Sequence, residues 1–302
     1  MGKVAFWFPG QGAQYVGMGK TLFDTFEQVR SLYARAGEIL GYDLAELCFA
    51  GPSEKLDTTA VSQPAIFVTS LAMAEVLRLQ SPELVEKCSA AAGLSLGEYT
   101  ALVFAGAMEF EDGLRLVQRR GEVMQEASNA VPSGMVSVLG LERDIVEKLC
   151  DENRGGETLQ VANLLCSGNI VVSGTVGACE RIADAAPKAG AMRVIPLAVA
   201  GAFHTQLMKP ADSKLADALA KIDFKPLRIP VYSNVDAKPH TNTEEFRRIL
   251  VEQVISPVLW EDLVRAMIED GYEQFNEVGP GRVLRGLVKR INRKAKCDGT
   301  DG

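Results

Sequence analysis

The hydrophobic positions divide the chain into segments with strand-like and helix-like spacing. An uninterrupted apolar run from Val4 to Phe8 predicts a first strand that is buried on both faces. The small-residue run from Ser89 to Ala92 predicts a second strand. Helical spacing is found over 21–40, 65–79, 96–105 and 111–128. This alternation of strands and helices is typical of α/β proteins.

The middle of the chain has a different order of elements. Strands are predicted over 135–141, 159–163, 169–174 and 192–198, and helices over 142–152 and 176–188. Their order, βαββαβ, is the ferredoxin-like pattern. We therefore predict a subdomain over 132–198 that is inserted into a core made of residues 1–131 and 199–292. The core is completed by predicted elements over 229–233, 243–254, 260–269 and 274–278, and residues 293–302 are expected to form a flexible tail.

Composition narrows the class of protein. The chain has 302 residues, of which 47% are hydrophobic, enough for a large core. A net charge of −7 argues against nucleic acid as the main partner. No apolar run is read as long enough to span a membrane, and the first strand is too short for a signal peptide. The six scattered cysteines are expected to be free thiols in a reducing compartment, so a cytoplasmic protein is predicted.

The segment from Gly93 to Gly97 fits the G-x-S-x-G pattern, follows a predicted strand and begins an apolar helix. In a turn of this kind the serine oxygen is exposed at a helix N-terminus, where backbone N–H groups stabilise an oxyanion. Ser95 is therefore a candidate nucleophile. The alternative is that Ser95 only caps the helix, because Glu98 completes a capping box with it.

A nucleophilic serine needs a base, and the chain contains two histidines. His204 follows an apolar strand, at a place where α/β sheets carry active-site loops, although a buried structural histidine is the alternative. His240 lies in a polar turn and is interpreted as a surface residue. Since no cysteine or carboxylate cluster accompanies them, no metal site is predicted.

Arg120 interrupts an apolar helix face formed by Leu116, Val117, Val123, Met124 and Ala127. An arginine on such a face must reach solvent or bind an anion. It could form a salt bridge to a local carboxylate. It could also bind a substrate carboxylate through two parallel hydrogen bonds.

The loop from Phe8 to Gly12 closes the first strand and is rich in glycine. It could be a simple turn, or it could supply backbone donors to an oxyanion hole. It lacks the Gly-Lys-Ser/Thr sequence of a phosphate-binding loop.

Eight motifs occur in order along the chain: F-P-G-Q-G (8–12), Q-P-A (63–65), G-x-S-x-G-E (93–98), R-G (120–121), G-A-F-H (201–204), Y-S-N (232–234), V-E-Q (251–253) and E-V-G-P-G (277–281). Over about residues 3–291 the chain resembles the acyltransferase family of fatty acid and polyketide synthesis, which includes malonyl-CoA:acyl carrier protein transacylases. The resemblance implies a hydrolase-like α/β core with a parallel sheet and a ferredoxin-like insert, in agreement with the pattern above.

The resemblance also implies roles for individual residues. Ser95 would carry the malonyl group as an ester, His204 would act as general base and then acid, and Arg120 would pair with the malonyl carboxylate. The backbone N–H groups of Gln11 and Leu96 would form the oxyanion hole.

Further roles are implied for residues around these. Gln253 would orient the catalytic histidine through its backbone carbonyl, and Asn163 and Asn234 would lie near the site. Phe203 resembles the malonyl-selective type, because its ring would crowd an α-methyl group. The chain departs from the family at Leu94, where a histidine is usual, and in the loop over 163–169.

The function implied is transfer of a malonyl group from malonyl-CoA to the phosphopantetheine thiol of acyl carrier protein, with no cofactor. A freestanding chain favours fatty acid synthesis, and a cytoplasmic monomer without membrane or nucleic-acid partners is expected. The alternatives are a freestanding polyketide-synthase acyltransferase, a serine thioesterase or hydrolase, and a non-catalytic carrier-binding protein. The basic segment from Arg285 to Lys296 is a candidate docking face for an acidic carrier.

Overall fold

The structure, a computed structural model, describes residues 2–300 and contains two β-sheets with helices packed around them. The strands are β1 (Lys3–Phe8), β2 (Cys88–Gly93), β3 (Ser133–Leu139), β4 (Leu159–Cys166), β5 (Asn169–Thr175), β6 (Arg193–Pro196), β7 (Val231–Tyr232), β8 (Pro239–His240), β9 (Tyr272–Glu277) and β10 (Lys296–Gly299). The helices are α1 (Lys20–Thr25), α2 (Glu27–Leu40), α3 (Leu44–Ala50), α4 (Ser53–Leu56), α5 (Thr59–Gln80), α6 (Pro82–Lys87), α7 (Leu96–Phe104), α8 (Phe110–Ala130), α9 (Arg143–Asn153), α10 (Val176–Lys188), α11 (Lys209–Leu219), α12 (Glu245–Gln253), α13 (Trp260–Glu269) and α14 (Val283–Ile291).

The larger sheet has the order β10-β9-β1-β2-β7-β8, and all of its pairs are parallel except β7 with β8. Its central strand β1 is buried on both faces, as its continuous apolar run predicted. Phe6 and Phe8 belong to the apolar core on one face, whereas Trp7 belongs to the core on the other. Trp7 stacks on Phe275 and meets Trp260 edge to face. The predicted α/β class is confirmed.

The smaller sheet is antiparallel and has the order β4-β5-β3-β6. With α9 and α10 it forms the βαββαβ arrangement that the sequence predicted, and it has its own apolar core. Strand β4 also contacts the main part of the molecule, since the N–H of Val258 donates to the Ala162 carbonyl at 2.8 Å. The small sheet lies within Ser133–Pro196. The predicted limits of 132 and 198 for an inserted subdomain stay a prediction.

The parallel pairing brings together the loops that follow the first two strands. Phe8 is in register with Gly93, so both strands end at the same edge of the sheet. The Leu94 N–H donates to the Phe8 carbonyl at 3.0 Å and extends this pairing beyond the strands. Ligand sites of parallel sheets lie at such carboxyl ends. This edge therefore carries both candidate loops.

The prediction of one continuous helix over 21–40 is wrong. It is divided into α1 and α2 by Phe26, whose backbone is extended (φ −114°, ψ 125°). The Arg30 guanidinium donates to the carbonyls of Phe23 and Asp24, which lie at the end of α1. These bonds compensate the carbonyls that the break leaves without helical partners.

The prediction of a flexible tail over 293–302 is wrong for Lys296–Gly299. This segment is β10 and pairs in parallel with β9. Its short polar sequence carries no apolar pattern, and its order arises from hydrogen bonds to a strand that would otherwise be a sheet edge. Residues 301 and 302 lie outside the described part of the chain.

Among residues 2–300, one helix, α5, is long and apolar enough to cross a membrane by length and composition. Within its most apolar window 78% is buried inside the protein, so α5 is a core helix here. The expectation that no segment reaches this length was therefore wrong. The error came from three residues that are polar or helix-breaking but are nevertheless buried in this helix: Ser62, Gln63 and Pro64.

Candidate active site

Ser95 lies in a strained turn between β2 and α7, with φ 51° and ψ −102°. The turn is so tight that a side chain on either flanking glycine would collide with backbone. A Cβ on Gly93 would lie 1.9 Å from the Gly97 carbonyl carbon, and a Cβ on Gly97 would lie 2.0 Å from the Phe8 oxygen. Glycines at both positions are thus required for a turn that presents Ser95 at the sheet edge.

The Ser95 side chain does not cap α7. Its Oγ lies 2.8 Å from Nε2 of His204 and 3.0 Å from Nη2 of Arg120. Glu98, the other member of the supposed capping box, is turned toward other partners and accepts from Nε2 of Gln253 at 2.6 Å. The capping alternative for Ser95 is therefore wrong.

His204 is buried and also has a left-handed backbone, with φ 61°. Its Nδ1 lies 2.8 Å from the backbone carbonyl of Gln253. Since a carbonyl oxygen only accepts, Nδ1 carries the proton, and Nε2 is free to accept the Ser95 hydroxyl proton. Burial, and then the charge of Arg120, lowers the pKa of His204 to about 4. The imidazole is therefore a neutral acceptor at neutral pH.

Arg120 is almost completely buried, with 1% of its surface exposed. Within residues 2–300 no carboxylate lies within salt-bridge distance of its guanidinium, so the local salt bridge considered from the sequence is wrong. Besides Ser95, it donates to the side-chain oxygens of Gln63 at 2.8 Å and Gln253 at 3.0 Å, and it lies over the ring of Tyr99. All of these partners are neutral. A buried cation without an ion-pair partner is costly, and a ligand anion could compensate it.

Asn234 follows β7 and holds the nucleophile turn from the other side. Its Oδ1 accepts from the Ser95 N–H at 2.6 Å, and its Nδ2 donates to the Gly93 carbonyl at 2.7 Å. Gln253 does the same from the end of α12, because its Nε2 donates to the Ser95 carbonyl at 3.0 Å. Asn234, which was predicted to lie near the site, and Gln253 are thus both in contact with Ser95.

The first glycine loop packs directly on this turn. A Cβ on Gly10 would lie 2.3 Å from the Leu94 oxygen, so the Gln11 segment lies beside the nucleophile turn. Leu96 is the first residue of α7, and N–H groups at this end of a helix have no helical acceptor. This geometry suits an oxyanion hole formed by Gln11 and Leu96, and that role stays a prediction.

Three other residues of interest differ in their position relative to Ser95 and His204. Asn163 is half-buried on β4, and no contact among the described residues joins it to Ser95 or His204. Phe203 is buried in the apolar core beside His204. Leu94 is buried on the opposite sheet face, in the core that includes Trp7.

His240, interpreted as a surface residue, is only 11% exposed at its side chain. Its Nε2 lies 3.1 Å from Asp236 and its Nδ1 contacts Glu245. It does not contact Ser95, and among residues 2–300 no group of three or more metal-ligating side chains is found.

The basic segment from Arg285 to Lys296 spans the length of the sheet, and its role as a docking face stays a prediction. The Arg285 side chain contacts the buried carboxylate of Glu277. Lys296 pairs with Gln274, which pairs in turn with Val4 at the start of β1. Ser95, in contrast, follows the end of β2. The segment therefore runs from the edge of the sheet that carries Ser95, where Arg285 contacts Glu277, to the opposite edge, where Lys296 lies.

Sequence reasoning gave no role to Gln63 or Tyr99 and considered Glu98 only as part of a capping box, yet all three surround Arg120 and Gln253. One signal was available for Glu98. It is the only charged residue in the apolar helix α7, just as Arg120 is a charge on an apolar face.

Comparisons with known proteins agree with this geometry. The family model described as "Acyl transferase domain" matches residues 5–298. The chain is 42% identical over 299 residues to the malonyl CoA-acyl carrier protein transacylase of Bacillus subtilis (strain 168), covering 98% of this chain and 92% of the relative. It is 45% identical over 300 residues to the mitochondrial malonyl-CoA-acyl carrier protein transacylase of Homo sapiens, covering 95% and 77%.

Two solved structures have nearly the same backbone. An acyl carrier protein S-malonyltransferase from Vibrio cholerae O1 biovar eltor matches with a TM-score of 0.93 at 39% identity, covering 99% of this chain and 97% of that one. A malonyl-transacylase in complex with a type II polyketide synthase acyl-carrier protein matches with a TM-score of 0.94 at 40% identity, covering 99% and 96%.

Proposed function

The chain belongs to the acyl transferase domain family, and from this membership and the site geometry we propose that it transfers a malonyl group from malonyl-CoA to the phosphopantetheine thiol of an acyl carrier protein. The choice of a malonyl group is supported by the position of Arg120. Among residues 2–300, the hydrogen-bond partners of its buried guanidinium are all neutral, and Nη2 lies 3.0 Å from the Ser95 oxygen. A short acyl group that ends in a carboxylate satisfies this cation while its carbonyl faces the nucleophile.

In the first half-reaction Ser95 Oγ attacks the thioester carbonyl and gives its proton to Nε2 of His204. The carbon–sulfur bond of malonyl-CoA breaks, and the leaving thiolate takes that proton from the imidazolium. The N–H groups of Gln11 and Leu96 stabilise the negative oxygen of the tetrahedral intermediate. The products are malonyl-Ser95 and coenzyme A.

In the second half-reaction the carrier's phosphopantetheine thiol gives its proton to His204 and attacks the malonyl ester. The ester C–O bond breaks, and Ser95 Oγ regains a proton from the imidazolium. The Gln253 carbonyl keeps the ring oriented in both halves through its bond to Nδ1, in the place where a triad carboxylate is usual. The side chains suffice for every proton transfer, so we propose that no cofactor or metal takes part.

Mass spectrometry of the intact protein tests this function. After brief exposure to malonyl-CoA, a malonyl adduct is expected on the wild type and on Ser167→Ala, an exposed serine that serves as the control. No adduct is expected on Ser95→Ala. Addition of acyl carrier protein should discharge the adduct to the carrier faster than water does. A malonyl adduct on Ser95→Ala would overturn the proposal, and release to water alone would instead favour the hydrolase alternative.

Selectivity for the extender unit is a separate prediction. Phe203 is buried next to His204, where its ring should crowd an α-methyl group. We expect the wild type to load malonyl at least about tenfold faster than methylmalonyl, since one misplaced methyl group costs roughly 1–3 kcal/mol. Phe203→Ser should reduce this ratio, and equal loading rates for the two thioesters on the wild type would refute the role of the ring.

Fatty acid synthesis is the proposed pathway, with a cytoplasmic monomer as the acting form. Polyketide synthesis is the second candidate, because a 40% identical malonyl-transacylase was solved with a polyketide carrier. The two are separated by comparing kcat/KM for purified fatty-acid and polyketide carrier proteins as malonyl acceptors.

A further inference from the structure

Glu98 is a buried carboxyl group that the proposed chemistry does not use. It lies in the first turn of α7 and is 0% exposed. Its Oε2 accepts from Nε2 of Gln253 at 2.6 Å and from the backbone N–H of Asn234 at 3.3 Å. Within the described residues, its Oε1 has no hydrogen-bond partner. A buried carboxylate with so few donors is costly, which calls for an explanation by function.

The two partners of Glu98 are the residues that hold the reacting groups. Gln253 holds the His204 ring through its backbone carbonyl, and its side chain bonds the Ser95 carbonyl. Asn234 holds the Ser95 N–H and so the strained nucleophile turn. Glu98 therefore contacts the two residues that hold the base and the nucleophile.

The orientation of the Gln253 amide depends on the chemistry of its neighbours. Nε2 faces Glu98, while Oε1 faces Nη2 of Arg120. A guanidinium only donates, and an ionised carboxylate only accepts, so the two neighbours together permit one orientation. Without an acceptor at Glu98, Nε2 keeps the Ser95 carbonyl alone, and the amide is held less firmly in the orientation that Arg120 requires.

We propose that Glu98 is a positioning residue for acyl transfer, whose carboxylate fixes Gln253 and Asn234 in the arrangement that the reaction requires. Through them it sets the position of the base, the nucleophile and the arginine that binds the substrate. This inference rests on the proposed function, because it assigns Glu98 a part in the same reaction.

The charged surroundings of Glu98 come from several elements. Arg120 faces it from α8, Tyr99 follows it in α7, and His240 acts on it from the end of β8. Burial raises the pKa of Glu98 to about 7, although the bonds from Gln253 and Asn234 oppose this. Protonation removes the negative charge that strengthens both hydrogen bonds. Activity that depends on ionised Glu98 therefore falls as pH drops through neutrality.

Glu98→Leu and Glu98→Gln separate positioning from the charge itself. The matched control is Thr100→Val, a nearly isosteric change in the same helix at a buried hydroxyl without a partner among the described residues. Each protein is first checked by circular dichroism and thermal unfolding. The rate of malonyl adduct formation on Ser95 is then measured by rapid quench and mass spectrometry, over a range of malonyl-CoA concentrations and pH.

Glu98→Leu is expected to lower the maximal acylation rate by about 100-fold, the size of effect that a small misplacement of reacting groups produces. Glu98→Gln keeps an acceptor for both donors, so at pH 8 it should restore the rate to within about tenfold of wild type. It should also lack the loss of activity near pH 7 that the wild type shows. Thr100→Val should match the wild type in both rate and pH profile.

The outcomes distinguish the inference from the function on which it rests. A wild type that forms no malonyl adduct contradicts the proposed function. A wild type that forms one, beside a folded Glu98→Leu that loads malonyl equally fast, overturns only the role of Glu98. If Glu98→Leu does not fold, the pH profile of Glu98→Gln decides, and a profile identical to wild type overturns the inference.

Discussion

The two histidines of the chain lie in surroundings of opposite charge. His204 contacts a backbone carbonyl, and Arg120 lies close by, so burial and then the arginine lower its pKa to about 4. His240 lies between Asp236 and Glu245. Burial by itself would lower the pKa of His240, but the hydrogen bonds to these carboxylates outweigh it and raise the pKa.

The difference shows what makes a histidine available as a base. A carboxylate partner orients an imidazole but also favours its protonated form. A backbone carbonyl, here that of Gln253, fixes the ring and the tautomer without adding a negative charge. The ring at His204 is therefore held in place and neutral, whereas the carboxylates around His240 favour the protonated form of its ring. Distance from Ser95 is only part of the contrast between them.

The largest expected effect comes from removing each ring in turn. His204→Ala should lower the acylation rate by about 10³- to 10⁴-fold, because general base catalysis is lost. His240→Ala should leave the rate at pH 8 within about twofold of wild type, since the ring contacts Asp236 and Glu245 and reaches the site through its charge on Glu98, which is ionised at that pH. Rapid-quench measurement of malonyl adduct formation checks both variants. A similar loss of activity in the two variants, while both remain folded, would contradict the difference between the two histidines.

Removing the arginine that depresses the pKa of His204 sharpens the comparison. Arg120→Ala should reduce malonyl loading by about 100-fold, the value of a charge-assisted pair of hydrogen bonds at roughly 1.5–3 kcal/mol. Acetyl loading has no carboxylate to lose and should fall much less. Arg119→Ala is the matched control, because Arg119 is half-exposed on the same helix and pairs with Glu122. Equal losses for malonyl and acetyl loading would contradict a carboxylate-binding role.

The same charge predicts a difference in pH dependence between substrates. A base works when it is neutral, so the rate falls as pH drops below its pKa. A bound malonyl carboxylate neutralises Arg120 and raises the pKa of His204 from about 4, whereas a bound acetyl group does not. The acid limb of the maximal rate should therefore lie at higher pH for malonyl-CoA than for acetyl-CoA. The comparison is made in Glu98→Gln, which lacks the loss of activity near pH 7, and identical acid limbs in that variant would argue against the coupling between Arg120 and His204.

Sequence reasoning located the candidate residues Ser95 and Arg120 because each violates a local pattern. Ser95 lies between glycines that a helix start does not need, and Arg120 is a charge on an apolar face. The same reasoning missed Glu98, an equally conspicuous charge in an apolar helix, because the capping box offered a local explanation for it. Local rules therefore identified anomalies but could not say which long-range partner resolves each one.

The errors in the fold have a similar origin. The break at Phe26 is compensated by a side chain four residues later, and hydrophobic spacing does not record such bonds. Strand β10 has four residues without an apolar period and is ordered by pairing with β9. The two sheets were predictable because their strands carry apolar cores. Elements that are stabilised mainly by backbone pairing or by one side chain were not predictable.

The smallest effect expected is on stability, and it tests the opposite charges of the two histidines directly. Because the pKa of His240 is raised, its contribution is fully present below the unfolded pKa of about 6.5 and is lost as pH rises through the folded-state value. His240→Asn should therefore lower Tm by about 2 °C at pH 6, for about 1 kcal/mol, and by less at pH 9. His204→Gln should show the reverse trend, because a lowered pKa makes the wild-type histidine cost stability as pH falls from about 6.5 toward 4. Melting curves at several pH values check both slopes, and slopes of the same sign would show that the two rings do not differ in charge.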